Sequence, residues 1–177
     1  MVLQETYELI DAKWCNDGST TNGLTAQNGV SVTSDGEYVS ITTSTSGEKY
    51  IQTPITVESS DNWEHSCKVS TSGSGQFFAW NLLNENQFSL FNNIYLAVND
   101  NGTIYSRLHG GSGRTYPISL ADNDTITLKR LNGHWILYHN DTQIFDAEYT
   151  WTGAKTIGYY TNNGRKQVLK DIVIKAL

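Results

Sequence analysis

Asp35-Gly36, Asn101-Gly102, Asn132-Gly133, Asn140-Asp141 and Asn163-Gly164 each separate two short segments in which apolar and polar residues alternate. No other feature constrains the fold as tightly. Asn-Gly and Asn-Asp pairs tolerate the positive φ that two-residue hairpins demand. A period of two gives each flanking strand one side for a core. The pattern predicts strands over Tyr7–Ala12, Val30–Thr33, Tyr38–Thr43, Tyr50–Gln52, Trp63–Ser70, Gln76–Leu83, Gln87–Phe91 and Asn93–Val98. It continues over Thr103–His109, Thr125–Leu131, His134–Tyr138, Gln143–Asp146, Thr156–Tyr160 and Lys166–Ile174, and no long segment has helical spacing. So many short antiparallel strands form a sandwich or a barrel. The reading here is one all-β domain over residues 1–177, a two-sheet antiparallel sandwich.

Composition agrees. The 5 Trp, 10 Tyr and 5 Phe suit pleated surfaces, and only 2 Pro interrupt them. A formal charge of −6 without a basic run argues against nucleic acid as partner. No apolar run approaches a membrane span, so no insertion is expected, and the N-terminus does not read as a signal peptide. In NWEHSCKV, Trp63, His65, Cys67 and Val69 share one face, so Cys67 reads as a buried thiol and a bridge to Cys15 is not indicated. The acceptor patterns at Asn101, Asn123 and Asn140 read as turn sequences in an Asn- and Thr-rich chain.

The stretch from "Ile-Thr-Leu-x-Arg" at Ile126 through "Trp-x-Leu-Tyr" at Trp135 to "Ile-Gly-Tyr" at Ile157 resembles the C-terminal half of concanavalin A-like (laminin-G-like) jelly rolls. The resemblance covers about the last third of the chain and implies the jelly-roll form of the sandwich. It says little about function, because lectins, glycosidases, lyases and structural modules share that fold.

Catalytic patterns are missing. Sandwich-fold glucanases carry Glu-x-Asp-x-Glu motifs on one strand, placing two carboxylates about 5–10 Å apart across the scissile bond. Glu64 and Glu85 have no carboxylate at i+2 or i+4, and Glu64 reads as a solvated strand residue. His134 and His139 fall on opposite faces and cannot share a metal. Gly110–Arg114 is Gly-rich but precedes no helix, so it reads as a loop and not a phosphate cradle. Asn99–Gly102 and Asp122–Asp124 offer oxygens of the kind calcium takes, yet they lack the full spacing of a calcium loop. No catalysis and no cofactor are expected.

One face remains to be explained. Around Asn93–Arg114, Ile94, Leu96, Val98, Ile104 and Leu108 form an apolar row, while Tyr95, Ala97, Tyr105, Arg107 and His109 lie opposite. If Phe78 faces the core, Ala79 and Asn81 join that second row, and the alanines leave room for a chain to lie down. Tyr and His rings stack on sugars, and Asn and Arg satisfy sugar hydroxyls. Two placements stay open: this face, or edge loops presenting Arg114, Tyr116 and Trp151, the last as a sugar platform or as a lid on the core.

The expected function is a lectin-like, carbohydrate-binding module attaching to a polysaccharide or cell-surface glycan, extracellular, at the cell surface or on a virion. The alternative is a structural or oligomerising β-domain of a virion fibre, phage tail baseplate or surface adhesin, whose partners are other chains of that assembly. A glycosidase-like enzyme is the minor one.

Overall fold

The computed structural model describes residues 7–8, 25–34, 38–72, 78–84, 90–99, 101, 103–107, 114–162 and 164–177. Fifteen strands run through these residues: β1 (Tyr7–Glu8), β2 (Thr25–Ala26), β3 (Val30–Ser34), β4 (Val39–Thr43), β5 (Glu48–Val57), β6 (Trp63–Val69), β7 (Phe78–Asn84) and β8 (Leu90–Val98). They continue as β9 (Thr103–Arg107), β10 (Arg114–Pro117), β11 (Thr125–Leu131), β12 (His134–His139), β13 (Thr142–Glu148), β14 (Lys155–Asn162) and β15 (Lys166–Ala176). No helix occurs among the described residues. The strands form two antiparallel sheets. The first runs β13-β12-β11-β6-β15-β4-β3 with β1 beside β15, and the second runs β10-β9-β8-β7-β14-β5-β2.

Two of the five turns anticipated from sequence show the expected chemistry; Asp35, Gly36, Gly102 and Asn163 lie outside the described residues. Asn132 and Gly133 take φ of 49° and 88°, and Asn140 takes 52°. These are the left-handed conformations of tight hairpins, here joining β11 to β12 and β12 to β13. Alternation holds as well: Trp63, His65, Cys67 and Val69 are buried, and their neighbours are half-exposed. Cys67 is a free, fully buried thiol whose acidity burial suppresses. Cys15 lies outside the described residues.

Some boundaries differ from the sequence reading. β5 is ten residues long, where alternation suggested only Tyr50–Gln52. The cause is a bulge: Thr156 faces Thr56 but Gly158 faces Gln52, so Thr53, Pro54 and Ile55 stand against Ile157 alone. Proline, which cannot donate to a ladder, is accommodated at such a break. The Thr53 hydroxyl donates to the Ile157 carbonyl at 2.7 Å and accepts from the Ile55 amide at 3.2 Å, restoring bonds the ladder omits. The two strands expected either side of Asn92 are one, β8, with a register shift in its pairing to β7. GGSGRTYP does not read through as a loop, since Arg114–Pro117 pairs along β9 as the edge strand β10.

Among the described residues one hydrophobic cluster joins the two sheets. Trp80 of β7 lies 5.7 Å from Trp63 and 5.9 Å from Trp135, both of the opposite sheet, measured between ring centroids. Two polar bridges also cross the sandwich. His65 Nε2 and the Tyr159 hydroxyl are 2.8 Å apart, and burial lowers the His65 pKa to about 4. Gln167 of β15 accepts from the Ala79 amide at 2.8 Å and donates to the Tyr160 carbonyl at 2.5 Å. That side chain fixes β7 and β14 where the candidate site is built.

Gly158 shows how little room this joint has. A Cβ there would stand 2.5 Å from the Ile51 carbonyl oxygen and 2.6 Å from Leu83 Cδ1. Backbone cannot yield as a side-chain tip does. Gly158→Ala should therefore cost about 1–3 kcal/mol. The check is the urea midpoint against wild type, and an unchanged midpoint would refute the close approach.

Candidate functional site

The outer face of the second sheet gathers the tyrosines. Arg107, Tyr95, Asn81, Gly158 and Gln52 lie directly opposite one another across β9, β8, β7, β14 and β5. One step along the strands on the same face, Thr115, Tyr105, Ala97 and Ala79 form a second row, and Tyr160 faces Tyr50. The ring centroids make a chain: Tyr105 to Tyr95 is 5.6 Å, Tyr95 to Tyr160 is 6.0 Å, and Tyr160 to Tyr50 is 6.4 Å. Arg107 and Glu48 mark its ends. The Arg107 guanidinium carbon lies 5.9 Å from both the Tyr95 and Tyr105 rings, and its Nε donates to the Tyr105 hydroxyl at 3.1 Å. The Tyr50 hydroxyl donates to Glu48 at 2.6 Å. Burial first, then hydrogen bonds to Glu48 and Tyr105 respectively, push the Tyr50 and Tyr95 pKa values up, so both phenols stay protonated.

The structure thus brings Tyr95, Tyr105 and Arg107 together, as expected, and adds Tyr160 and Glu48, with Tyr50 buried at 8% exposure as the inner end of the chain of rings. The open groove pictured above the alanines is corrected. Ala79 and Ala97 are buried. Tyr105 and Tyr160 stand three strand spacings apart, roughly 14 Å, yet Tyr95 is in ring contact with both. Its ring must lie across the alanines. Asn81 is corrected too: it belongs to this face but is fully buried, and among the described residues neither amide atom has a hydrogen-bond partner.

The edge-loop candidates scatter. Trp151 is 8% exposed, stacked on Trp135 at 5.5 Å, with Arg130 over its ring. It is the lid and not a platform, because the backbone amide of Trp151 donates to Ser59 Oγ at 3.0 Å and holds the segment against the core. Tyr116 faces Ile104 of the core row and packs edge-on to Phe145 at 6.0 Å, so it too is turned inward. Arg114 starts β10, and His109 lies outside the described residues.

A rival recess of about 270 Å³ sits on the other sheet, lined by Glu64, Thr127, Lys129, Tyr138, Asn140 and Asp141. Its chemistry is largely spent internally. Glu64 is bridged by Lys129 at 2.9 Å and Lys175 at 3.0 Å, and Lys129 also lies 5.2 Å from the centre of the Tyr138 ring. Burial favours protonation of Glu64, but the two lysines outweigh it and hold the pKa below the usual value. A general acid needs the opposite shift.

Of the candidate oxygen ligands, Asp100 and Gly102 lie outside the described residues, and Asp122 and Asp124 are engaged in turns. Asp122 accepts from the Thr71 amide and hydroxyl at 2.6 and 2.8 Å, and Asp124 from the Ala121 amide, also at 2.8 Å. His139 and Asn140 also contact Asp124, at 2.8 and 3.1 Å. These carboxylates serve turns. Among the described residues no cluster of three His, Cys, Asp or Glu has metal-holding geometry.

No protein-family model matches the chain, and neither does any curated protein. Solved structures do. A carbohydrate-binding module, CBM66 from Bacillus subtilis, aligns with a TM-score of 0.58 at 12% identity, over 87% of this chain and 96% of its own. The fold is that of a lectin-type jelly roll. The metal-free carbohydrate recognition domain of Emp46p aligns at TM-score 0.63 and 12% identity, over 96% and 95% of the two chains. A sialidase aligns at 0.67 and 10% over 99% of this chain, which spans only 19% of that one. Identities this low establish architecture and leave chemistry to the residues.

Proposed function

We propose that this chain is a non-catalytic carbohydrate-binding module that docks a glycan on the tyrosine strip of its second sheet. The observation that carries this is the continuous run Tyr105–Tyr95–Tyr160–Tyr50, ending in Arg107, on a fold shared with a carbohydrate-binding module and a lectin domain. Aromatic faces receive the apolar faces of pyranose rings, and phenol and guanidinium groups bond their hydroxyls. Such a module serves attachment to a polysaccharide or surface glycan outside the cell or on a virion. The oligomerising alternative needs a broad apolar surface. Among the described residues the large exposed hydrophobics are Leu131 and Leu177 alone, which favours the glycan.

A glycan array identifies the ligand, and two variants locate its site. Tyr105→Ala removes a half-exposed stacking surface, so affinity should fall by about 1–3 kcal/mol. The melting temperature should hardly move, since substitutions away from the core stay within about 0.5 kcal/mol. Tyr138→Ala, in the rival recess, should leave binding intact. The reverse pattern would transfer the site to that recess.

A further inference from the structure

Arg107 is better prepared than a hydroxyl-binding role requires. Its Nε is committed to the Tyr105 hydroxyl, and its plane rests against two tyrosine rings. Both terminal nitrogens lack a hydrogen-bond partner among the described residues. No carboxylate enters its electrostatic surroundings either, which consist of Tyr105 and Tyr95. The chain as a whole carries −6, so an unpaired arginine here is a local exception to a repulsive background. Lys68 and Lys129, by contrast, each have a carboxylate, Asp171 at 2.6 Å and Glu64 at 2.9 Å.

We infer that the tyrosine strip selects an acidic glycan, whose sugar-borne oxyanion is received end-on by the Arg107 fork. The inference rests on the carbohydrate-binding reading and narrows it. A guanidinium with Nε already satisfied presents its two terminal N–H groups as a planar pair, which matches two oxygens of a carboxylate or sulfate. Orientation is fixed before binding, so little side-chain entropy is lost on capture. Polarity of the strip follows. Glu48 occupies the far end beside Tyr50 and would repel an oxyanion there, so the acidic sugar sits over Tyr95 and Tyr105 and neutral sugars lie toward Tyr160.

The test titrates the full chain at fixed 150 mM salt against matched probes. These are polygalacturonate and hyaluronan, their carboxyl-reduced neutral forms, and dextran sulfate beside dextran. At least one acidic probe should bind, and its neutral partner should bind tenfold or more weakly, the span expected for charge-assisted bonds of about 1.5–3 kcal/mol. The carboxylate and sulfate arms tell which oxyanion is recognised. Arg107→Lys keeps the charge but loses the fork and should forfeit most of that gain, while Tyr105→Phe, which frees Nε, should forfeit part. Melting temperatures of both variants establish that they fold. If neutral glycans bind as well as acidic ones and Arg107→Lys changes nothing, the oxyanion is wrong while the carbohydrate reading stands. If acidic binding survives Arg107→Lys undiminished, Arg107 is not the receptor. If no glycan binds in the array or here, both fail.

Discussion

Replacing Trp80 by alanine should lower the unfolding free energy by about 3–5 kcal/mol, the range seen when buried aromatics are truncated. In a domain of this size that corresponds to a fall in melting temperature of roughly 6–20 °C. The reason is position as much as volume. Trp80 is fully buried on the second sheet and touches Trp63 and Trp135 of the first, which themselves meet edge-on at 5.7 Å. Removing the indole empties the contact between the sheets, and the strands on either side are too firmly hydrogen-bonded to collapse into the space. Trp80→Phe restores part of the volume and should recover part of the loss. A thermal melt decides the matter: a shift under about 3 °C would mean the sheets are held elsewhere.

That contact was legible in the sequence because Phe78, Trp80 and Leu82 alternate, and alternation reports which face is buried. The same rule found Trp63, His65, Cys67 and Val69, and it placed Tyr95, Tyr105 and Arg107 on one outer face. It failed where the period fails. Tyr159 and Tyr160 are adjacent, one bonded to His65 in the core and the other ringed by Tyr95 and Tyr50 outside. Nothing local says which of them points outward. Tyr50 was hidden for a different reason: Ile51, Thr53, Ile55 and Val57 keep the period through the bulge and put Tyr50 on the outer face, but Pro54 argues against one continuous strand, so the count stops short of it.

Other misses come from tertiary packing. Asn81 alternates correctly onto the outer face, but periodicity gives direction and not depth. Trp151 sits in a sequence of loop character, and its burial depends on Ser59, 92 residues earlier, catching its amide. The inward turn of Tyr116 depends on its register against Ile104. Long-range pairing of that kind leaves no mark in a window of eight residues.

His65 should make the fold acid-sensitive in a defined window. The imidazole is buried and bonded to Tyr159, and burial lowers its pKa from 6.5 to about 4. An unfolded chain therefore takes up a proton near pH 6.5 that the folded chain refuses until about pH 4. Between those values the unfolded state binds more protons, so stability must fall as pH falls. At about 1.4 kcal/mol per pH unit the full loss approaches roughly 3 kcal/mol. Glu64, Asp122 and Asp124 act in the same direction but at lower pH, because their pKa values are held below the usual carboxylate range. The two effects separate by substitution. His65→Gln retains a partner for the Tyr159 hydroxyl and cannot titrate, so its stability should stay nearly flat from pH 6.5 to 4. Urea midpoints of both proteins at pH 7, 5.5 and 4.5 provide the comparison. Parallel slopes would show that the buried imidazole does not control the acid response.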